Sequence, residues 1–321
     1  MRSRGKLVVP ALDWPRDTRT LIDLVGGTPL VRMRSVESPS RPNVEIYAKL
    51  EKQNPGGSVK DRPAAMMLWH GIKTGALRPG KTILESTSGN TGVALAMLAA
   101  SLGYPVTLTV ADNISPELIV ALRAFGAELV LTAGKQGSDG ALLRAKEMAA
   151  ARPDQYFVPE QYDNPANYWA HYLTTGPEIW SQTQGRVTHL VAAVGTGGTV
   201  MGTGWALRER NPQVRLIAVE PDEAQHGLNG MRHIPSTIRP RIYDEEYLDA
   251  VVRISTPGGR QVSYNVAARE GVLLGPSGGA VLAAAQRIST DESRAVIVCV
   301  LADGGAPSVW KQETTVESVA L

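Results

Sequence analysis

The stretch TILESTSGNTGVALAMLAASLG, residues 82–103, contains one complete strand–turn–helix unit. The apolar segment TILES predicts a strand, and TSGNTG supplies the small polar residues of a turn. The alanine- and leucine-rich VALAMLAASLG predicts a helix that stops at Gly103. Because a strand that leads directly into a helix is the repeating unit of parallel sheets, this stretch favours an α/β fold.

The same alternation extends in both directions. VEIYAKL predicts a strand before the glycine-containing turn NPGGS and a helix, and VTLTV and ELVLT predict strands further on. A second series of strands and helices begins near residue 155. We therefore predict two doubly wound, mostly parallel-sheet α/β domains, the smaller over residues 46–154 and the larger over 1–45 and 155–321. Ligands of such sheets bind at the carboxyl ends of the strands, so the expected active site is the cleft between the domains.

Composition excludes several classes of function. The 321 residues carry a formal net charge of only +2, without a run of lysine or arginine, so neither nucleic acid nor a membrane is an expected partner. Cys299 is the only cysteine and lies in the apolar run AVIVCVL, which predicts a buried strand thiol. No apolar stretch has the length of a signal peptide or a membrane span, and we expect a cytoplasmic protein.

Familiar catalytic patterns are missing from the sequence. The five histidines form no metal-ligand pair or cluster with cysteine, so we expect no metal site. The chain has no G-x-S-x-G motif of a serine hydrolase and no phosphate-binding loop of the G-x-x-x-x-G-K-[ST] type. The remaining candidates for a functional site are a lysine and three turns of small residues.

Lys60 has an unusual place in the sequence, directly after the turn NPGGS and at the start of a predicted helix. The positive end of a helix dipole lies there and raises the free energy of a charged ammonium group. This location suits a lysine that is neutral or is bonded to another group.

The second candidate is the glycine turn, Gly195 to Thr199, in the segment VGTGGTVMG. It follows a predicted strand and opens a helix, so its backbone amides and the helix dipole can bind an anion. A dinucleotide fingerprint would require glycine where Val200 stands. We predict a cradle for a single phosphate, the alternative being a tight turn without a ligand.

The hydroxyl loop, residues 86–92, offers the side chains of Thr87, Ser88, Asn90 and Thr91 next to helical amides. This composition suits a receptor for a carboxylate or carbonyl, and an elaborate helix cap is the alternative. A third turn, GPSGG, contains Ser277 and is by itself a weak signal. A reactive lysine, a single-phosphate cradle and a carboxylate receptor together indicate a pyridoxal phosphate enzyme.

Six segments of the sequence resemble those of a known family. The segments NPGGSVKDR, TSGNTGVALA, QYDNPAN, GTGGTVMGTG, EP (220–221) and GPSGGA stand in the order found in cysteine synthases, which have the tryptophan-synthase-β-like fold of pyridoxal phosphate enzymes. The resemblance covers roughly residues 20–305. It implies that Lys60 holds the cofactor as a Schiff base and then acts as the base at the substrate's α-carbon.

The resemblance also assigns the remaining site residues. Asn90 matches the contact to the cofactor's ring hydroxyl, and Ser277 the residue facing the pyridine nitrogen. The substrate carboxylate would be bound by Thr87, Ser88 and Thr91 with the help of Gln161. The cofactor phosphate would be bound by the glycine turn, Gly195, Thr196, Gly197, Gly198 and Thr199.

Ser277 bears on the type of reaction. A serine hydroxyl cannot keep the pyridine nitrogen protonated as an aspartate would, which favours loss of a group from the β-carbon. The resemblance thus implies β-replacement through an aminoacrylate, which yields L-cysteine from an activated serine. The sulfur would come from sulfide or from the thiocarboxylate of a sulfur-carrier protein.

Two departures from the pattern of acetylserine-using relatives stand out. Ser86 replaces the proline of the usual EPTSGNTG, for which we expect a small effect. In LNGMRHIP (228–235), Arg232 and His233 stand where small residues are usual. Arg232 resembles the arginine of phosphoserine-using cysteine synthases, and a guanidinium suits a leaving phosphate. The alternative is an arginine that faces solvent or pairs with Asp244 or Glu245.

Other readings remain open at this stage. Cystathionine β-synthase, which uses homocysteine, shares the core motifs, whereas the hydroxyl loop argues against serine or threonine dehydratases. A non-catalytic partner that binds the tail of serine acetyltransferase is a third reading. The resemblance also implies a homodimer.

Overall fold

The computed structural model describes residues 20–87 and 89–305. Within these ranges the chain forms ten strands and nine α-helices, and the two sheets they build are largely parallel. The predicted α/β class with mostly parallel sheets is confirmed.

The first half of the chain alternates strand and helix almost without exception. Its elements are β1 (Leu30–Arg32), β2 (Val44–Leu50), α1 (Asp61–Lys73), β3 (Thr82–Ser86), α2 (Asn90–Leu102), β4 (Val106–Ala111), α3 (Pro116–Ala124), β5 (Glu128–Thr132), α4 (Gly137–Ala151) and β6 (Tyr156–Phe157). Helix α2 ends where the sequence predicts, because Gly103 adopts the left-handed conformation with φ 74°.

The second half adds more helices. Its elements are α5 (Pro165–Ala170), α6 (Gly176–Gln182), β7 (His189–Ala193), α7 (Gly198–Arg210), β8 (Arg215–Pro221), β9 (Ala250–Ile254), α8 (Thr256–Glu270), α9 (Pro276–Ser289) and β10 (Ala295–Leu301). A π-helical turn, His171–Thr175, joins α5 to α6.

The ten strands divide between two sheets. The larger has the order β1-β2-β10-β7-β8-β9, in which only the β1–β2 pair is antiparallel. The smaller has the order β5-β4-β3-β6 and is parallel throughout. Cys299 is fully buried in the central strand β10, as predicted.

The sheets to which strands β2 and β6 belong can be compared with the predicted domain limits. Strand β2 crosses the limit at residue 46 and pairs with β10 in the larger sheet, and β6 lies beyond the limit at 154 but pairs with β3 in the smaller one. The chain therefore changes sheet after Leu50 and again after Phe157. The division of the chain into a smaller and a larger domain stays a prediction.

The sheet order decides which loops meet. Strand β10 lies between β2 and β7, so the carboxyl ends of these three parallel strands are adjacent. The segment that leads to Lys60 follows β2, the glycine turn follows β7, and Asp303 follows β10. Three loops from distant parts of the sequence thus converge at one edge of the larger sheet.

Candidate active site

Lys60 occupies the N-cap position of α1, as the sequence predicts. The segment before it is fixed to the end of β10, because the Val59 amide donates to the Ala302 carbonyl (2.8 Å) and Ser58 forms a β-bridge with Asp303. The lysine is therefore positioned by the central strand of the larger sheet as well as by its own helix.

The environment of Lys60 favours the neutral amine. Burial lowers the pKa of its ammonium group, and the negative charge of Asp303 opposes that shift. Within residues 20–87 and 89–305 the Nζ atom has no hydrogen-bond partner. A neutral, unengaged amine is a nucleophile, which is what formation of a Schiff base requires.

The glycine turn presents unused backbone donors. In the described part of the chain, the amides of Gly195, Thr196 and Gly197 donate to no acceptor, whereas the Gly198 amide donates to Thr196 Oγ1 (3.3 Å). Gly197 has φ 85°, the left-handed region that favours glycine. The open amides lie at the N-terminus of α7, where the helix dipole favours an anion.

The glycine turn is also closely packed. A Cβ at Gly198 would lie 2.0 Å from Asn167 Oδ1, and one at Gly195 would lie 2.5 Å from the Gly230 carbonyl oxygen. Asn167 donates from Nδ2 to Thr196 Oγ1 (3.0 Å) and to the Gln161 carbonyl (2.7 Å). Glycine is therefore required for space as well as for backbone conformation.

A histidine lies behind the last residue of the turn. His171 Nε2 is 3.3 Å from Thr199 Oγ1, and its Nδ1 is 2.9 Å from Thr175 Oγ1. Burial lowers the pKa of His171 well below its usual range, and the positive charge of Arg62 adds to this effect. The imidazole is therefore neutral at pH 7 and orients the Thr199 hydroxyl.

The hydroxyl loop is tied to the QYDNPAN segment. Thr91 Oγ1 donates to Gln161 Oε1 (2.8 Å), and Gln161 Nε2 donates to the Ser86 carbonyl (3.2 Å). Thr87 Oγ1 accepts from the amides of Gly89 (3.2 Å) and Gly92 (3.1 Å). The structure thus brings Thr87, Thr91 and Gln161 together, while Ser88 lies outside the described residues.

The remaining two predicted cofactor residues lie on either side of Asp303. Asn90, the first residue of α2, donates from Nδ2 to Asp303 Oδ2 (2.7 Å). Ser277 is buried in the first turn of α9, and the turn that precedes it packs on Asp303, since a Cβ at Gly275 would lie 2.9 Å from Asp303 Oδ1. Asn90 belongs to the smaller sheet's layer and Asp303 to the larger sheet.

Arg232 contacts the aromatic ring of Tyr162. Its Nη2 donates to the Tyr162 hydroxyl (2.8 Å), its Cζ lies 4.3 Å from the ring centroid, and its amide donates to the Val194 carbonyl (2.8 Å). Among the described residues Arg232 forms no ion pair, so the pairing with Asp244 or Glu245 that we considered is not found. The Arg232 backbone is thus fixed to the residue before the glycine turn, and its guanidinium lies on the residue that follows Gln161.

Three positions that the sequence interpretation missed connect these motifs: Asn167, His171 and Asp303. Asn167 stands inside the segment QYDNPAN, so the family motif could have identified it as a site residue. Asp303 stands two residues after the end of β10, and polar residues at the carboxyl end of a parallel strand are candidates for a site. His171 gave no pattern that separates it from a buried core histidine.

Two further properties concern metals and membranes. In the part of the chain that the structure describes, no group of three or more histidine, cysteine, aspartate or glutamate side chains could hold a metal ion. Over the same residues, no helix has the length and apolar character needed to span a bilayer.

Comparison with known proteins gives a consistent result. The family model of pyridoxal-phosphate dependent enzymes matches residues 21–303. A cysteine synthase of Aquifex aeolicus is 45% identical over 291 residues, with 89% of each chain covered. Cysteine synthase B of Escherichia coli is 41% identical over 286 residues, which cover 89% of this chain and 93% of that protein.

Solved structures agree with the sequence relatives. The crystal structure of a cysteine synthase from Entamoeba histolytica superposes with a TM-score of 0.85 at 36% identity, covering 92% of this chain and 91% of that one. The structure of an O-ureido-L-serine synthase gives a TM-score of 0.84 at 35% identity, covering 94% and 96%.

Proposed function

Because the chain belongs to the family of pyridoxal-phosphate dependent enzymes, we propose that it is a cysteine synthase that uses O-phospho-L-serine in preference to O-acetyl-L-serine. In this reaction the bond between the β-carbon and the phosphate oxygen breaks and a carbon–sulfur bond forms. Phosphate leaves with the bonding electron pair, and sulfide or a sulfur-carrier thiocarboxylate supplies the sulfur.

The residues present fit the cofactor. The open amides of the glycine turn offer donors for a phosphate group, and a Cβ at Gly195 or Gly198 would intrude on the close packing there. Lys60 offers an amine whose pKa is lowered by burial. When bound, pyridoxal phosphate withdraws electrons from the substrate's α-carbon and so makes its proton acidic.

The chain's own residues then supply the remaining functions. The Lys60 amine is the base that accepts the α-proton. We expect Thr87 and Thr91 to bind the substrate carboxylate. The single hydroxyl proton of Thr91 donates to Gln161 Oε1 (2.8 Å) and must turn from this acceptor to the carboxylate when the substrate binds. The hydroxyl of Ser277 would hold the cofactor ring without supplying a charge, which would favour loss of the β-substituent once the α-proton is removed.

The contact of Arg232 with Tyr162 is the observation that supports phosphoserine. Tyr162 is a neutral partner, because burial raises the pKa of its phenol. The guanidinium therefore has a neutral partner next to Gln161, and the Arg232 amide is bonded to Val194 just before the glycine turn. A doubly charged leaving phosphate gains more from such a cation than acetate does.

A comparison of two arginines tests the choice of donor. Arg239 lies in the same loop as Arg232, stacks on Tyr243 at 5.5 Å and pairs with Glu245, so Arg239→Ala is a matched control for Arg232→Ala. For Arg232→Ala we expect kcat/KM to fall about 30-fold with O-phospho-L-serine and less than about threefold with O-acetyl-L-serine. An equal loss with both donors would refute the phosphoserine assignment and leave the cysteine synthase assignment standing.

A second experiment tests the role of Lys60. Borohydride reduction of the holoenzyme followed by peptide mass spectrometry should place the cofactor on Lys60. The variant Lys60→Ala should show no label and no cysteine formation, whereas Lys146→Ala, at an exposed lysine of α4, should behave like the unchanged protein. Label on another lysine would contradict the assignment.

The remaining parts of the proposal concern assembly and surroundings. We propose that the enzyme acts as a homodimer in the cytoplasm, and that its two sheets mark a smaller and a larger domain. A phosphoserine user has less need of serine acetyltransferase as a partner. Pull-down with the acetyltransferase tail peptide should therefore recover little of this protein.

A further inference from the structure

Asp303 lies where three of the predicted site segments meet. It forms a β-bridge with Ser58 before Lys60, and its side chain packs against Gly275, which precedes Ser277. It also reaches Asn90 on the other side of the cleft. No sequence motif assigned a role to this residue.

Both carboxylate oxygens of Asp303 are engaged. Oδ1 accepts from the Gly305 amide (2.9 Å), which fixes the carboxylate on its own loop, and Oδ2 accepts from Asn90 Nδ2 (2.7 Å). The second of these bonds links residues 213 positions apart and connects the larger sheet with helix α2. Asp303 is thus a fixed acceptor aimed at a single side chain.

This contact determines which way the Asn90 amide points. A carboxylate only accepts hydrogen bonds, so the amide must turn its NH₂ group toward Asp303 and not its carbonyl oxygen. One N–H of Nδ2 is then used, and the second remains as a donor for an oxygen in the cleft. An amide with the opposite orientation would present an acceptor to that oxygen.

We propose that Asp303 is a positioning residue for the cofactor, acting by holding the Asn90 amide with its NH₂ group toward the cofactor's ring oxygen. Asp303 has a second influence in the same place, because its charge raises the pKa of Lys60 against the effect of burial. The proposal concerns cofactor binding and holds for any serine derivative that serves as substrate.

The experiment is a double-mutant cycle on the holoenzyme. The dissociation constant of pyridoxal phosphate is measured by equilibrium dialysis for Asp303→Asn, Asn90→Ala and the double variant. Visible circular dichroism per bound cofactor reports the orientation of the ring. The control is Asp222→Asn, an exposed aspartate that follows parallel strand β8 of the same sheet.

For Asp303→Asn we expect the dissociation constant to rise about tenfold, since a charge-assisted hydrogen bond is lost and the amide can invert. The visible dichroism should weaken, whereas Asp222→Asn should change neither quantity. If Asp303 acts through Asn90, the double variant should bind the cofactor about as weakly as Asn90→Ala alone.

Several results would overturn the proposal. An unchanged dissociation constant and dichroism in Asp303→Asn would do so, as would full additivity in the double variant, since Asp303 would then act independently of Asn90. An unchanged dissociation constant in Asn90→Ala would also refute it. All three outcomes are independent of which activated serine the enzyme uses.

Discussion

Arg232 lies over the ring of Tyr162, with Cζ 4.3 Å from the ring centroid and Nη2 2.8 Å from the phenol oxygen. The two residues are 70 positions apart. Tyr162 directly follows Gln161, which hydrogen-bonds Thr91 of the hydroxyl loop. The pair therefore connects the loop that carries Arg232 with the expected receptor for the substrate carboxylate.

Removal of the Tyr162 hydroxyl should loosen Arg232 without removing its charge. Tyr162→Phe keeps the ring under the guanidinium and deletes one hydrogen bond, so we expect KM for O-phospho-L-serine to rise about fivefold with little change in kcat. Steady-state kinetics with both donors measure this. Tyr172→Phe, which deletes a surface hydrogen bond to Glu209 (2.7 Å), is the control and should change neither constant.

A methyl group at Gly198 should weaken cofactor binding. The Cβ would lie 2.0 Å from Asn167 Oδ1, so either Asn167 or the start of α7 must move, and the unused amides lose their alignment. We expect Gly198→Ala to raise the dissociation constant of pyridoxal phosphate at least about tenfold. Gly258→Ala, at the start of α8, meets Ser255 Oγ at 3.1 Å and Ile254 Cγ2 at 3.7 Å, and it should leave that constant unchanged. Equal cofactor affinity in both variants would argue against the glycine turn as the phosphate site.

Glu85 should make the stability of the protein depend on pH. Burial raises its pKa to about 7, while hydrogen bonds from the amides of Ser86 (3.0 Å) and Gln161 (3.4 Å) oppose the shift. The unfolded chain has a glutamate pKa of about 4.3, so the folded state binds the additional proton between these values. This contribution to stability is fully present below pH ~4.3 and is lost as the pH rises through 7.

The variant Glu85→Gln cannot titrate and should flatten this dependence. Urea unfolding at pH 5.5 and at pH 8 measures the difference. We expect the free energy of unfolding of the unchanged protein to fall by about 2 kcal/mol more than that of Glu85→Gln over this range. Identical pH dependence in both proteins would show that Glu85 is ionised in the folded state throughout.

Arg62 should be essential for stability because it neutralises the buried carboxylate of Glu51 and the partly buried carboxylate of Glu178. It donates to Glu51 (2.6 Å) and to Glu178 (2.7 Å), and its side chain is 1% exposed. Although burial raises the pKa of Glu178, hydrogen bonds and charge from Arg62 and Lys49 hold it at about 2. Arg62→Met would leave Glu51 buried without its bidentate partner, and we expect a loss of about 3–5 kcal/mol in the free energy of unfolding.

A surface ion pair provides the comparison for Arg62. Arg144 pairs with Glu147 at 3.2 Å on the exposed side of α4. Arg144→Met should cost less than about 0.5 kcal/mol, because exposed pairs are screened by water. Urea unfolding of both variants separates the two cases. A similar small loss in Arg62→Met would mean that the buried network contributes little net stability.

The elements that the sequence interpretation missed lack a clear local pattern. Strand β6 has only two residues, and β9, although five residues long, lies at the edge of its sheet after an irregular stretch. Helices α5 and α6 were also missed, and the π-helical turn between them interrupts the helical period. Strands and helices with several turns or alternations, such as β10 and α2, were located closely.

The sequence by itself determined the α/β class and the order of most strands and helices. It also located three turns: the one that precedes Lys60, the hydroxyl loop that contains Thr91, and the glycine turn. These features depend on local periodicity and on small residues at fixed offsets, which neighbouring residues encode directly. Only the tertiary structure decided that Arg232 meets Tyr162 and that Asp303 holds Asn90. Each of these contacts joins a loop of the smaller sheet to a loop of the larger one. Asn90 follows β3 and meets Asp303 after β10, and Tyr162 follows β6 and meets Arg232 after β8, so only the packing of the two sheets brings these residues together.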